Sequence, residues 1–287
     1  MKYAFIKEQQ HNYDIKVLCE ILDVSKSGYY DWLKRPIGKR AKRRAELLEA
    51  IRRVHQESRQ VYGSPRIHKE LKNRGATVNE KTVADIMRKA SIQAKTRRKF
   101  KATTNSNHEL PIAPNLLNRQ FHNRALNDVW VSDITYIDTG EGWLYLSVFL
   151  DLGSRKVVGW SMDSTMTAEL VLNAFRMGIT NTGIAPNMVH SDRGSQYASD
   201  LFRSELEFRG CVQSMSERGN CWDNAVAESF FGSLKREAVY HYRFATRSQA
   251  KACIFDYVEA FYNRFRLHSA LNYLTPAQKG QKAEKAA

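Results

Sequence analysis

Along residues 15–33 the apolar positions Ile15, Val17, Leu18, Ile21 and Leu22 give way to a polar break, DVSKSG, and resume at Tyr29, Tyr30, Trp32 and Leu33. Spacing by three and four places these side chains on one helical face, so the stretch predicts helix, turn, helix. Ser25 is the expected N-cap of the second helix, with Lys26 and Ser27 facing outward at its start, where a recognition helix presents donors to DNA. The run KRRAELLEAIRRVHQE repeats the helical pattern with Leu47, Leu48, Ile51 and Val54 inward. A second helix pair follows: Pro65 to Lys72 with Ile67 and Leu71 inward, a turn at Asn73-Arg74-Gly75, then Asn79 as N-cap for a helix burying Val83, Ile86 and Met87 and ending at Lys89. Arg66, His68, Lys69, Lys72, Lys81, Arg88 and Lys89 fall on its outward positions, where cations would neutralise DNA phosphates, which positions a protein without reading sequence.

From Asp128 the period changes to that of strands. VWVSDITYI, WLYLSVFLDL and KVVGWSMD are rich in β-branched and aromatic residues, and TGEG and GSR between them are turn chemistry, so a three-strand meander is predicted. Next come a helix over 167–180, a short buried strand NMVHSD, a helix over 198–208, a strand CVQSMS and a long helix over 223–240. The order predicts a mixed sheet covered by helices, an α/β fold in the ribonuclease-H-like layout, preceded by small all-α segments. The domain boundaries expected are a helix-turn-helix-like segment at 1–36, a second helical DNA-binding domain at 37–94, a basic, Pro-containing linker at 95–127, the core at 128–276 and a flexible tail at 277–287.

Charge sharpens this division. The formal net charge is +15 over 287 residues; residues 1–127 hold 28 lysines and arginines against 12 acids, and residues 128–287 hold 17 against 18. A front half at +16 joined to a body at −1 points to a polyanion partner, and for a soluble chain that is nucleic acid. The linker adds KTRRKFK, whose Arg97, Arg98 and Lys99 are placed to track a DNA backbone. No apolar run approaches the roughly 18 residues of a membrane span, and the N-terminus lacks the apolar stretch of a signal peptide, so a cytoplasmic, nucleoid-associated protein is expected. The four cysteines form no CxxC pair and are read as reduced packing residues, not zinc ligands.

Three carboxylates stand out by context. Asp133 interrupts an apolar strand, Asp192 ends the strand MVH before RGSQY, and Glu228 lies in the long helix. An acid inside an apolar strand carries a large desolvation cost unless it is paired or bound to a cation. Convergence of all three would gather like charges that a hard divalent cation neutralises, Mg²⁺ or Mn²⁺ rather than zinc. Lys235 follows Glu228 by seven residues, almost two helical turns, so both share a face. Asp223 is the rival third acid, readable instead as an N-cap.

SDITYI around Asp133, HSDRGSQY around Asp192 and DNAVAESFFGSLKREAV around Glu228 resemble the three catalytic blocks of retroviral-integrase-like DDE transposases. The closest resemblance is to the second-frame (OrfB-type) protein of the bacterial insertion-sequence family that joins two overlapping frames by ribosomal frameshifting. YGSPRIHKEL upstream and YNRFRLHSALNYLTPAQ downstream are similar to it too, and 35 residues separate Asp192 from Glu228, as in that family. The resemblance implies a divalent-metal-dependent polynucleotidyl transferase. Asp133, Asp192 and Glu228 would hold two Mg²⁺ ions, with Mn²⁺ as substitute, to nick insertion-sequence ends and join the 3′ hydroxyl to another phosphodiester by in-line displacement. Lys235, with Gln196, Tyr197 and Asn224, would position DNA near the scissile phosphate, and Trp222 would stack on a splayed base or pack in the core. It further implies terminal-repeat and target DNA as partners, a homo-oligomer on paired ends, and a first-frame product as fusion or partner, because no apolar heptad run appears in this chain. Other readings of the same features are a DNA-binding regulatory subunit with an idle core, or a structure-directed nuclease.

Overall fold

The computed structural model describes residues 1–35, 38–95, 110–122, 124–217 and 221–285. Helices α1 (Lys2–Gln9), α2 (Ile15–Ile21) and α3 (Lys26–Lys34) enclose a small core of Ile6, Leu18, Cys19 and Tyr29. Ser25 caps α3 as expected, its hydroxyl accepting the Gly28 N–H at 3.1 Å. Helix α1 escaped the periodicity because it buries only Ile6.

Helices α4 (Lys39–Glu57), α5 (Ser64–Asn73) and α6 (Glu80–Lys89) form the second helical unit around Ile51, Val54, Ile67, Leu71, Val83, Ile86 and Met87. Asn79 caps α6 by accepting the Lys81 N–H at 2.7 Å. Gly75, at φ +85°, follows α5 in the left-handed conformation that glycine adopts without a Cβ clash. The outward cations divide once side chains are placed. Lys26 and Lys81 are exposed and Lys69 is half-buried, whereas Arg88 and Lys89 both reach Asp85, at 2.8 and 3.3 Å.

Five strands make one sheet in the order β3-β2-β1-β4-β5. Strands β1 (Val129–Ile137), β2 (Leu144–Asp151) and β3 (Val157–Asp163) are the antiparallel meander, and β4 (Met188–Ser191) and β5 (Val212–Met215) add in parallel beside β1. One face is covered by α7 (Ala168–Thr182), the short α8 (Ser195–Ala198) and α9 (Asp200–Phe208) around Trp130, Phe149, Val158, Phe175 and Phe202. Close contact of α7 with the sheet needs two glycines. A Cβ on Gly159 of β3 would run into the Ala174 carbonyl and the Gly178 nitrogen, and one on Gly178 would lie 2.8 Å from the Trp130 ring.

The opposite face carries α10 (Ala225–Glu237), whose Ala227, Phe230, Phe231 and Leu234 pack with Val129, Val131, Leu146 and Val148. Behind α10, α11 (Arg247–Phe255) runs into a π-helical segment over Asp256–Tyr262. Two expectations are corrected here. The supposed tail contains α12 (Pro276–Glu284), started by a capping box in which Thr275 and Gln278 satisfy each other's backbone N–H groups. The C-terminal part of the supposed linker is packed: Leu117 is fully buried, and the Ser214 hydroxyl on β5 accepts the N–H groups of Leu116 and Leu117 at 2.9 and 3.2 Å.

The second helical unit is joined to this face by one continuous apolar cluster. The Tyr62 hydroxyl donates to the Phe265 carbonyl at 2.8 Å and accepts the Leu267 N–H at 2.7 Å, and Arg59 pairs with Asp256 at 2.5 Å. Arg66 is therefore not an outward cation. It turns in, donating to the Leu267 carbonyl at 3.1 Å and approaching Glu237 at 3.8 Å.

Candidate active site

The register of the two central parallel strands brings the first two acids together. Val131 of β1 pairs with His190 of β4. Asp192 lies two residues past His190, just beyond the end of β4, close enough for its charge to act on Asp133. Asp133 lies two residues past Val131 in β1 and, with side chains alternating at period two, projects to the face shared with Val131. That is the face α10 covers, and Glu228 sits exposed in the first turn of α10. The helix start is fastened beside Asp133: Asn224 Nδ2 donates to the Ser132 carbonyl at 3.0 Å, while Asn224 Oδ1 is buried without a protein partner.

Electrostatics report the same grouping. Burial pushes the Asp133 carboxyl well above the usual carboxylate value, and the charges of Asp192 and Glu228 push it further, against the Ile134 N–H and the Lys235 ammonium. Desolvation also raises Glu228. Lys235, half-buried two turns along α10, is lowered by burial and partly restored by Asp133. Asp192 is oriented from its own turn, its Oδ1 accepting the Gly194 N–H at 2.9 Å. Gly194 leaves room there rather than supplying an unusual backbone: at φ −60°, a Cβ would meet Asp192 Oδ1 and Gln196 Oε1 at 3.0 Å and press on both side chains.

Among the described residues, no three His, Cys, Asp or Glu side chains stand close enough together to hold a metal ion. The donor chemistry is nonetheless that of a hard divalent cation: three carboxylates, of which Asp133 is driven towards its neutral form by burial and, beyond that, by the charges of Asp192 and Glu228. Asp223 does not belong to this set. It is 1% exposed and accepts from Arg119 Nε at 2.8 Å, Asn115 Nδ2 at 3.0 Å and the Glu217 N–H at 2.9 Å, so it is neither a third ligand nor the cap of α10.

The other sequence candidates separate by exposure. Gln196, half-buried, donates to the Met166 carbonyl at 3.1 Å beside the Asp192 turn. Tyr197 and Asn224 are 1% and 5% exposed, which corrects their reading as DNA contacts. Tyr197 lies under the sheet with its hydroxyl 2.8 Å from Ser132 Oγ, and Asn224 braces α10 against β1, so both position the acids from behind. Trp222 is 68% exposed, not a core aromatic. Arg97, Arg98 and Lys99 lie outside the described residues.

Sequence reasoning missed two supports. His190 is fully buried between Ser214 Oγ (2.9 Å) and Ser216 Oγ (3.3 Å), and burial pushes its imidazole down to about 4, so it is a neutral strut under the Asp192 turn. Glu237, at the end of α10, takes both arms of Arg266, at 2.7 and 2.8 Å, and the Tyr257 hydroxyl at 2.8 Å. No local signal distinguishes it, because its partners come from segments 20 and 29 residues away.

Comparison with known proteins agrees with this layout. An integrase core domain model matches residues 123–221, a second integrase core domain model residues 228–282, and an HTH-like domain model residues 42–100. Transposase InsF for insertion sequence IS3A of Escherichia coli (strain K12) is 41% identical over 281 residues, covering 97% of this chain and 98% of that protein. A 31 kDa protein of insertion element IS600 from Shigella sonnei is 42% identical over 261 residues, covering 91% of this chain and 96% of its own. Among solved structures, the simian T-cell lymphotropic virus intasome aligns at 17% identity over 79% of this chain and 72% of that one, with a TM-score of 0.47.

Proposed function

The chain belongs to the family of insertion-sequence transposases with an integrase core and catalyses DNA transposition, and from that premise we propose that Asp133, Asp192 and Glu228 are its reacting centre. The observation that carries this is the raised Asp133 carboxyl, half-buried on the α10 face in the combined field of Asp192 and Glu228. A protein keeps such an unfavourable group where function requires it. The three carboxylates would hold divalent cations, two Mg²⁺ with Mn²⁺ as substitute, which when bound stabilise the charge that develops on the entering and departing oxygens of an in-line displacement at phosphorus.

The protein's own part is positional. On this reading β1 carries Asp133, Asp192 follows the end of the neighbouring β4, and the Asn224 bond to Ser132 fastens the start of α10, which carries Glu228, beside β1. Lys235 offers an ammonium to the phosphate in the same field. With water as the entering group, one phosphodiester bond is exchanged for a 3′ hydroxyl and a 5′ phosphate. With that 3′ hydroxyl entering at another phosphodiester, one bond forms as one breaks, and the strands are joined. No covalent protein intermediate is needed.

The same reading takes terminal repeats and target DNA as substrates. Lys26, Lys69, Lys81, Arg97, Arg98 and Lys99 supply phosphate contacts, and Gln196 lies near the scissile end. Oligomerisation brings two ends together, and the first-frame product is a fusion or partner. The setting is the bacterial cytoplasm; among the described residues no helix is long and apolar enough to cross a membrane.

The test is incubation of the purified chain with labelled element-end DNA and Mg²⁺ or Mn²⁺, resolving nicked and joined products. Asp133→Asn, Asp192→Asn and Glu228→Gln should each lower both by about three orders of magnitude or more, since a lost ligand removes several kcal/mol of charge stabilisation. Strand transfer persisting in Asp192→Asn would overturn the assignment.

A further inference from the structure

Trp143 lies at the β1–β2 turn immediately before β2, and 48% of its surface faces solvent. An exposed indole leaves much apolar area in water, an arrangement common where a partner covers it. The turn that carries it is fastened on every side. Thr139 bridges Phe244, the Gly140 N–H donates to the Phe244 carbonyl at 2.9 Å, and the Arg247 N–H donates to Glu141 at 2.8 Å. Arg247 Nε also donates to the carbonyl of Trp143 itself at 3.0 Å. This tryptophan is held in place and half uncovered.

Its neighbours give the surface its chemistry. The Trp143 ring meets Tyr136 edge-on, with centroids 4.9 Å apart and planes at 79°. On Tyr136 also rests the ammonium of Lys235, 5.3 Å from the ring centroid. Tyr136 is three residues past Asp133 on β1, roughly 10 Å along the strand. Lys235 thus links the aromatic pair to the acid cluster. Two residues before Phe244, Tyr242 is 59% exposed with the Lys95 ammonium 6.0 Å from its ring, and Lys95 opens the basic run KTRRKFK. Cations alternate with π-faces from the acids towards the helical unit. A single nucleic-acid strand fits that combination, phosphates on the ammonium groups and a base on the ring.

We propose that Trp143 and Tyr136, with Lys235 between them and the acids, form a stacking site for one unpaired base of the DNA strand undergoing reaction. The site rests on the reading of Asp133, Asp192 and Glu228 as the reacting centre. It gives the enzyme a way to hold a strand end open beside the scissile phosphate, because a base stacked on an indole no longer needs its own pair.

The experiment uses the full-length chain carrying Asp192→Asn, so that binding is read without chemistry. The probe is a short duplex with a single-stranded 3′ extension whose first unpaired base is 2-aminopurine, compared with a blunt duplex of the same sequence. Stacking should quench the 2-aminopurine. Trp143→Ala should restore its fluorescence and weaken binding of the extended duplex about tenfold, within what one base–aromatic stack contributes, while leaving the blunt duplex bound as before. Trp143→Phe should keep most of the quenching. Equal quenching with and without the indole, or equal weakening on both duplexes, would overturn the proposal, as would quenching that disappears with Trp222→Ala and not with Trp143→Ala. Failure of the catalytic reading looks different: strand transfer would survive Asp192→Asn, whatever the fluorescence shows.

Discussion

Asp151 and Asp223 are each 1% exposed, yet neither is chemically poised, because their neighbours are donors. Asp151, at the end of β2, accepts from the Asn127 N–H at 2.8 Å and from the Ser154 N–H and hydroxyl at 2.8 and 2.6 Å, which makes it the keystone of a turn. Asp223 is desolvated but held below the usual carboxylate value by Arg119 and the Glu217 N–H. Asp133 differs in having two acids for neighbours. In sequence, Asp133 and Asp151 look alike, each an acid in an apolar strand; which of them is satisfied depends on donors that only the fold supplies. Asp223→Ala should therefore cost about 1–3 kcal/mol in denaturant unfolding through lost buried hydrogen bonds. The rise in melting temperature on adding Mg²⁺ should persist in that variant and vanish in Asp192→Asn.

Helix α10 works on two faces. Towards the sheet's open end it carries Glu228 and Lys235; at its far end Glu237 is locked to Arg266, both side chains under a tenth exposed, with Arg66 of α5 adding a third charge. The helix that carries Glu228 is thereby tied to the C-terminal segment and to the helical unit. Burial alone would raise the Glu237 carboxyl, but the hydrogen bonds and charge of Arg266 hold it below its ordinary 4.5. A depressed carboxylate contributes stability above the unfolded-state value and loses it as pH falls through the folded one. Glu237→Gln, which leaves Arg266 buried without its counter-charge, should destabilise the protein by about 3 kcal/mol at neutral pH. The gap to the wild type should close as pH drops below about 4.5, which melting curves across pH would show; a gap independent of pH would mean the ion pair is not its source. Of these elements the helix was legible, since Ala227, Phe230, Phe231 and Leu234 follow the helical period. The anchor was not, because no local pattern marks Glu237 as the partner of Arg266.

At the scale of the molecule, the excess positive charge sits in front of a nearly neutral body. Every phosphate contact made by the front should add about 0.9 to the slope of log affinity against log salt. Replacing Arg97, Arg98 and Lys99 with alanine should flatten that slope by up to about 3 in a filter-binding titration; an unchanged slope would mean the run does not touch phosphate. The front is also not a freely tethered module. Tyr62, Arg66 and Arg59 fix α4–α6 to the segment behind α10, so the helical unit is held against the core rather than swinging free of it.

Periodicity, turn chemistry and three acids in recognisable blocks were enough to determine the order of strands and helices and the layered α/β class, and to single out the three carboxylates proposed as the reacting centre, because each is written in local spacing. What a side chain faces depends on segments distant in the chain, and only the folded molecule decides that. It turned Arg66 and Tyr197 from DNA contacts into internal ties, made Asp223 a structural acid, and placed a half-exposed Trp143 beside Tyr136, the ring on which the Lys235 ammonium rests. Burial and pairing are sums over neighbours in space, and long-range strand register and helix docking set those neighbours.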